Sequence, residues 1–123
     1  LRNGKVYMPF GTPGNDIQPQ AMLQVFLNVN AFGMDVQSAI EAPRFGTRHL
    51  VSSFDNHAMS PGDLILDERT PPSVIGELAQ KGHQTSTRSR WSSGSAPTMI
   101  RFTPMGTLEA GADPYGYRTA RAW

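Results

Sequence analysis

The sequence predicts an α+β protein in which one sheet packs against helices. Three observations indicate this class. Short β-prone runs alternate with helical runs, turns containing Pro and Gly separate them, and the longest helical run carries apolar residues over more than half of its circumference. The chain has 123 residues, which fits a single domain over residues 1–123, and it contains no internal repeat or low-complexity tract.

Local signals place the helices and strands along the chain. Runs of β-prone residues between turns predict strands at residues 5–10, 63–66, 85–88, 98–102 and 107–111. Apolar residues at helical spacing predict helices at residues 18–31, 36–42 and 73–81. We expect an extended segment over residues 44–53, and Pro104-Met105-Gly106 predicts a hairpin turn between the last two strands.

Capping residues mark the ends of the first two helices. Asn15 or Asp16 caps the first helix, and Gly33 is placed to end it in the left-handed conformation. Asp35 caps the second helix. The first helix, residues 18–31, has a broad apolar surface, which predicts burial on two sides, between a sheet and another layer.

The passage from the first strand to the first helix is the most informative local feature. Residues 11–14, Gly-Thr-Pro-Gly, stop the strand and lead directly into the helix. Backbone N–H groups at a helix start have no partner within the helix and carry partial positive charge. The turn is therefore suited to binding an anion or to stabilising a developing oxyanion.

Composition excludes several classes of function. The formal net charge is +1, which argues against a nucleic-acid or membrane-surface partner because both need clustered basic residues. No apolar run approaches the roughly 18 residues of a spanning helix, and the N-terminus has no signal-peptide pattern. The absence of cysteine excludes disulfides and thiol catalysis. It is compatible with both cytoplasm and periplasm, so localisation stays open.

Hydroxyl and imidazole side chains give weaker signals. Thr12 lies inside the chain and has no free amine, so we do not expect it to act as a nucleophile. The loop at residues 92–95 lacks the Gly-x-Ser-x-Gly order of a nucleophile elbow, although a serine there pairing with His83 is an alternative. The histidines have no metal-binding spacing, and we expect no metal site. They are His49, His57 and His83.

Five arginines are candidates for binding a carboxylate through two parallel hydrogen bonds. They are Arg44, Arg48, Arg88, Arg90 and Arg101. The alternative is that they are surface or sheet-edge arginines. Arg44 differs from the rest because it lies within Ala-Pro-Arg-Phe, and we expect it to form a buried structural ion pair with Glu41 as candidate partner.

Several sequence blocks together resemble the γ-glutamyltransferase (γ-glutamyltranspeptidase) family. They are Gly-Thr-Pro-Gly at 11–14, Gln-Ala-Met-Leu-Gln-Val at 20–25, Phe-Gly-Met-Asp at 32–35, Ala-Pro-Arg-Phe at 42–45 and Gly-Ala-Asp-Pro at 111–114. With weaker matches between them, the blocks cover nearly the whole chain in the family's order. The resemblance implies an N-terminal nucleophile hydrolase with a four-layer αββα sandwich, of which this chain is the C-terminal part of the small subunit.

The same resemblance implies a reaction and its missing parts. A threonine freed by self-cleavage attacks a γ-glutamyl amide, with its own α-amine as base, and the acyl group passes to water or an amine. This chemistry needs no cofactor. The threonine and most glutamate-binding residues are expected upstream of Leu1, so the upstream segment and the large subunit are expected partners. By itself the chain is expected to be inactive, and to self-associate because a truncated sandwich exposes a sheet edge and an apolar face.

The resemblance also implies that the backbone N–H groups of Gly14 and Asn15 form the oxyanion hole. Asn15 stands where the family usually has a second glycine, which keeps the N–H but adds a side chain and limits left-handed conformations. Three alternatives remain open. The turn could be purely structural, the chain could be a non-catalytic module that binds a partner or a small anion, or the parent could be an acylase for another amide, such as a β-lactam side chain or poly-glutamate.

Overall fold

The computed structural model describes residues 1–54, 56–90, 92, 94–114 and 119–121. In this part of the chain the helices are α1 (Ile17–Asn30), α2 (Val36–Glu41) and α3 (Pro72–Gln80). The strands are β1 (Phe10–Gly11), β2 (Phe45–Gly46), β3 (Asp63–Asp67), β4 (Gln84–Arg88), β5 (Thr98–Phe102) and β6 (Leu108–Ala112). Every helix, and every strand from β3 onward, ends within one residue of its predicted bounds. None of these helices is long and apolar enough to cross a bilayer.

The described strands form two three-stranded sheets, so the prediction of one sheet is wrong. In the first sheet the order is β1-β5-β6 and neighbours are antiparallel, with Met99 between Phe10 and Gly111. In the second, β2 is antiparallel to β3, and β3 is parallel to β4 with α3 as the crossover. Strand propensity is local, whereas the choice of partner strand depends on contacts distant in sequence.

The first strand is shorter than predicted. The sequence indicates residues 5–10, whereas β1 covers only Phe10–Gly11. Pro9 has no N–H to donate to a ladder. The carbonyls of Tyr7 and Pro9 still accept hydrogen bonds from β5 at 2.9 and 3.0 Å. The chain therefore follows β5 before β1 begins, but only its carbonyl side is paired there.

The segment expected to be extended, residues 44–53, contains only the short strand β2. Two glutamines of α1 occupy the outer edge of this strand. Gln24 exchanges two hydrogen bonds with the backbone of Phe45, and Gln20 exchanges two with Thr47, all at 2.8–3.0 Å. Side-chain amides, which both donate and accept, thus replace a neighbouring strand and close the edge to further pairing.

The core lies between α1, α2 and the first sheet. Its buried members are Val25, Val29, Val36, Ala39, Ile40 and Met99. On α1 only one stripe is buried, whereas Leu23 is 59% exposed and Leu27 is 40% exposed. The prediction that α1 is buried on two sides is therefore wrong for the described chain. Its neighbours are α2, β2 and the first sheet, where Phe26 stacks on Phe10 of β1, and its apolar surface is wider than they cover.

Candidate functional site

The turn between β1 and α1 requires glycine at residue 14. Gly14 has a φ of +137°, a backbone conformation that other residues rarely adopt. A Cβ atom there would lie 3.0 Å from Cγ2 of Ile17 and 3.1 Å from the carbonyl oxygen of Gly94. A side chain at this position would therefore strain the backbone and crowd its neighbours.

Hydrogen bonds from two directions hold this turn in place. Nε2 of Gln18 donates to the carbonyl of Thr12 at 3.0 Å, and the N–H of Ala96 donates to the Thr12 hydroxyl at 2.8 Å. The start of α1 and the segment before β5 are thereby joined to the same turn. Thr12 is a structural anchor, a role with no local sequence signal because Ala96 is 84 residues away.

The N–H groups of Gly14 and Asn15 bind no acceptor within the described part of the chain, and both residues are exposed. Asn15 accepts a hydrogen bond from Gln18 through its carbonyl at 2.8 Å and one from Ile17 through Oδ1 at 3.4 Å. Its φ is not positive, so the side chain that replaces a second glycine adds no backbone strain. The turn presents two adjacent free donors at a helix N-terminus.

Asp16, the other candidate cap, uses its carboxylate outside the helix. Its Oδ2 accepts from the N–H of Ser53 at 2.9 Å, and this hydrogen bond lowers the pKa of Asp16 from its ordinary value. The side chain makes no capping bond to α1. Of the two predicted caps, Asn15 is the one whose side chain binds the helix, and Asp16 instead joins the loop after β2 to the start of α1.

Arg44 forms the buried ion pair that the sequence predicts. Its Nη2 lies 2.5 Å from Oδ2 of Asp113, and both residues are buried. A second guanidinium nitrogen, Nη1, donates to the carbonyl of Ile40 near the C-terminal end of α2. The pair thus joins the end of α2 to the end of β6, and it places positive charge at a helix C-terminus, where it is favourable.

The prediction that Glu41 is the partner of Arg44 is wrong. The Glu41 carboxylate accepts from Gln37 at 2.5 Å, and its backbone carbonyl accepts from Arg69 at 2.8 Å. Residues three apart share a face only within a helix. Helix α2 ends at Glu41, and the extended backbone before Pro43 turns Arg44 away from that face.

The other arginines of the predicted set differ in their partners. Arg48 pairs with Asp63 at 3.2 Å, and Arg101 pairs with Glu109 at 2.5 Å. Arg88 is half-buried, and its guanidinium has no hydrogen-bond or ion-pair partner among the described residues. The backbone N–H of Arg90 donates to Oε1 of Glu68 at 3.2 Å. The predicted set therefore includes an arginine, Arg88, whose charge no described carboxylate neutralises through direct contact.

The histidines and serines are not brought together in the described part of the chain. Nδ1 of His49 accepts from a backbone N–H at 2.8 Å, and Nδ1 of His57 lies 2.9 Å from a backbone carbonyl. Ser92 donates to a carbonyl rather than to His83, and Ser93 lies outside the described residues. No group of three acidic or histidine side chains able to hold a metal ion occurs among the described residues.

Comparison with known proteins gives concordant matches. All 123 residues match the family model described as Gamma-glutamyltranspeptidase. The chain is 31% identical over 116 residues to the oxamate amidohydrolase proenzyme of Klebsiella pneumoniae, and 33% identical over 113 residues to the acylase ACY 1 proenzyme of a Pseudomonas strain. These alignments cover 93% and 91% of this chain but 20% and 18% of the relatives. The chain therefore spans about a fifth of their length.

The fold is also that of a solved family member. The γ-glutamyltranspeptidase of Pseudomonas nitroreducens, complexed with L-DON, superposes with a TM-score of 0.76 at 25% identity, covering 98% of this chain and 57% of that one. This likeness confirms the α+β class and the N-terminal nucleophile hydrolase fold that the sequence blocks implied. Both the sequence matches and the fold lead to one conclusion: the chain belongs to the γ-glutamyltranspeptidase family.

Proposed function

We propose that this chain supplies the oxyanion-hole backbone of an enzyme that hydrolyses or transfers γ-glutamyl amides. The observation that carries the proposal is the adjacent pair of N–H groups on Gly14 and Asn15, which bind no described acceptor. They precede α1, a helix of 14 residues, whose N-terminus adds partial positive charge. Donors placed in advance where negative charge develops are the usual means of stabilising a tetrahedral intermediate.

The proposed reaction assigns one step to these donors. The hydroxyl oxygen of an upstream threonine attacks the amide carbon, and its proton passes to the threonine α-amine. The former carbonyl oxygen becomes negative and accepts hydrogen bonds from Gly14 and Asn15. When it reforms the carbonyl, the carbon–nitrogen bond breaks, and the leaving amine takes the proton. Water or an acceptor amine then attacks the acyl ester, and the threonine is regenerated.

The turn is held rigidly enough for this role. Gln18 binds the carbonyl of Thr12 and Ala96 binds its hydroxyl, so the two N–H groups are oriented before any substrate arrives. Pre-orientation matters because donors that must reorganise during the reaction stabilise the intermediate less. The proposal gives this chain no nucleophile, includes no cofactor, and makes the upstream segment and large subunit its partners. Without them, the exposed side chains on α1 favour self-association.

A second candidate, an acylase for a different amide, has specific support. The amidohydrolase and acylase relatives are 31% and 33% identical over more than 90% of this chain. Of the glutathione hydrolase proenzymes, that of Escherichia coli is 25% identical over 93% of the chain, and that of a Pseudomonas strain is 37% identical over 49% of it. The oxyanion hole would serve either reaction in the same way, because the tetrahedral intermediate is the same. Only the acyl group that the enzyme accepts separates the two candidates.

The test removes one N–H group while sparing the rest of the turn. Asn15→Pro deletes the N–H and the side chain, and Asn15→Ala deletes only the side chain. In the processed enzyme that contains this chain, we expect Asn15→Pro to lower kcat by roughly 10²–10³-fold. We expect the kcat of Asn15→Ala to stay within about tenfold of the wild-type value, because this variant loses only a helix-capping hydrogen bond.

Turnover of chromogenic γ-glutamyl and glutaryl anilides provides the readout, with circular dichroism to confirm that both variants are folded. Preferred turnover of the γ-glutamyl anilide supports the first candidate, and preferred turnover of the glutaryl anilide supports the second. Equal kcat values for a folded Asn15→Pro and Asn15→Ala would overturn the oxyanion role. No turnover of either anilide by the assembled wild-type enzyme would favour the non-catalytic alternative.

A further inference from the structure

The hydroxyl of Thr12 links two backbone groups at the turn between β1 and α1. It accepts a hydrogen bond from the N–H of Ala96 at 2.8 Å and donates one to the carbonyl of Pro13 at 2.9 Å. Because a hydroxyl has one hydrogen and a backbone N–H can only donate, the hydrogen of Thr12 is available for Pro13 alone. Thr12 therefore binds the peptide group that follows it, in addition to joining the turn to the segment before β5.

The carbonyl of Pro13 and the N–H of Gly14 belong to one peptide group. None of the described peptide bonds is cis, so this carbonyl and this N–H point in opposite directions from one rigid plane. A hydrogen bond that fixes the direction of the carbonyl therefore also fixes the direction of the N–H. The N–H of Gly14 points away from the Thr12 hydroxyl, and no described residue accepts a hydrogen bond from it.

A peptide group between Pro and Gly can adopt two orientations. Type I and type II turns differ by a flip of their central peptide, which changes the sign of φ at the residue that follows it. Gly14 has a φ of +137°, but glycine adopts positive and negative φ about equally readily. Residue 14 by itself thus selects neither orientation. The hydrogen bond from Thr12 to the carbonyl of Pro13 stabilises the orientation that the structure has.

We propose that Thr12 is a positioning residue, which orients and polarises the N–H of Gly14 for the oxyanion. The N–H of Ala96, the hydroxyl of Thr12 and the peptide between Pro13 and Gly14 form a chain in which each group donates to the next. Hydrogen bonds in such a chain polarise one another, so the N–H at its end becomes a stronger donor. Thr12 acts only through this peptide. The inference rests on the proposed function and adds the residue that sets the direction and strength of one of its donors.

Two conservative substitutions separate the hydroxyl of Thr12 from the shape of its side chain. Thr12→Val replaces the hydroxyl by a methyl group, whereas Thr12→Ser keeps the hydroxyl. In the processed enzyme that contains this chain, we expect Thr12→Val to lower kcat for the preferred anilide by about 10–100-fold, because one donor loses its orientation. KM should stay within about threefold, because the donor acts mainly in the transition state. The kcat of Thr12→Ser should stay within about threefold of the wild-type value, because its hydroxyl can make both hydrogen bonds.

Thr103→Val is the matched control. The hydroxyl of Thr103 accepts a hydrogen bond from the N–H of Thr107 at 3.1 Å in the turn between β5 and β6, and it lies 2.7 Å from the Thr107 hydroxyl. This turn is at the opposite end of β5 from Ala96. Thr103→Val thus removes the same group from a turn that has no part in the proposed reaction. We expect its kcat to stay within about twofold of the wild-type value, because distant sites act independently.

A merely structural role for Thr12 predicts different results. It would lower the melting temperature of Thr12→Val and leave the kcat of the folded protein unchanged. Melting curves for every variant, followed by circular dichroism, show whether each is folded at the temperature of the assay. Equal kcat values for folded Thr12→Val and Thr12→Ser would overturn the inference, and so would a Thr12→Val that only raises KM. If Thr12→Val does not fold, Thr12→Ala removes the hydroxyl without adding a methyl group, and the same criteria apply to it.

The Asn15→Pro variant separates this inference from the proposed function. If Asn15→Pro lowers kcat and Thr12→Val does not, the oxyanion role stands and the positioning role of Thr12 falls. If neither variant lowers kcat, both fall. If only Thr12→Val lowers kcat and Thr12→Ser restores it, the contribution of Asn15 falls, and the inference stands with Gly14 as the operative donor.

Discussion

The guanidinium of Arg44 binds two elements of the fold, through the carbonyl of Ile40 in the last turn of α2 and the carboxylate of Asp113 after β6. Breaking a buried ion pair lowers the free energy of unfolding by more than the intact pair adds to it, because one buried charge is left without compensation. The sequence block Ala-Pro-Arg-Phe predicted that Arg44 forms a buried ion pair. It did not predict the partner, because Asp113 lies 69 positions away and only the folded chain brings it close.

Replacement of Asp113 by Asn should therefore be far more damaging than the same change at an exposed pair. We expect Asp113→Asn to lower the free energy of unfolding by about 3–5 kcal/mol. Glu109→Gln breaks the less buried pair with Arg101 and should lower the free energy of unfolding by at most about 1 kcal/mol. Urea denaturation followed by circular dichroism measures both. Equal losses for the two variants would contradict the structural role of the buried pair.

At the scale of elements, the close approach of α2 to β6 depends on a glycine. A Cβ at Gly111 would lie 2.9 Å from Cγ1 of Val36 and 3.1 Å from Cδ1 of Ile40, both buried. On the same strand edge, Gln37 exchanges two hydrogen bonds at 3.0 Å with the backbone of Ala112. The helix thus touches the strand with both apolar and amide groups, and no room is left between them.

The same substitution should have opposite effects at two glycines. Gly111→Ala overfills the contact with α2, and we expect it to lower the free energy of unfolding by about 1–3 kcal/mol. Gly76 lies within the exposed helix α3 with open space around its Cβ position. Gly76→Ala should therefore raise the free energy of unfolding by about 0.5–1 kcal/mol. Thermal unfolding of both variants provides the measurement, and a stabilising Gly111→Ala would show that the helix contact is looser than described.

At the scale of the whole molecule, three aspartates accept hydrogen bonds that the folded chain provides. Asp16 binds Ser53, Asp63 binds Arg48, and Asp67 binds Arg69. Hydrogen bonds to these carboxylates lower the pKa of each one in the folded state. The unfolded chain therefore binds more protons at acidic pH, and the stability that these contacts provide is present above the unfolded pKa of about 4.

The melting temperature should consequently fall as the pH drops below about 4, where the carboxylates become protonated. Asp67 is the most buried of the three, and its principal hydrogen-bond donor is Arg69. Asp67→Asn should lower the melting temperature at neutral pH. As the pH falls, the melting temperature of this variant should decrease less steeply than that of wild type. Melting curves from pH 7 to 2.5 provide the test. A wild-type melting temperature that rises or stays flat below pH 4 would contradict this assignment.

The sequence by itself determined the helices, four of the six strands, the glycine turn before α1 and the family. These depend on signals within a few residues, such as caps, turn residues and apolar spacing, which act before the chain has folded. Tertiary structure alone decided the rest: the division into two sheets, the amide closure of the β2 edge, and Asp113 rather than Glu41 as the partner of Arg44. Apart from the β5–β6 hairpin, each of these joins residues more than 15 positions apart, and such pairs are selected by packing rather than by local spacing.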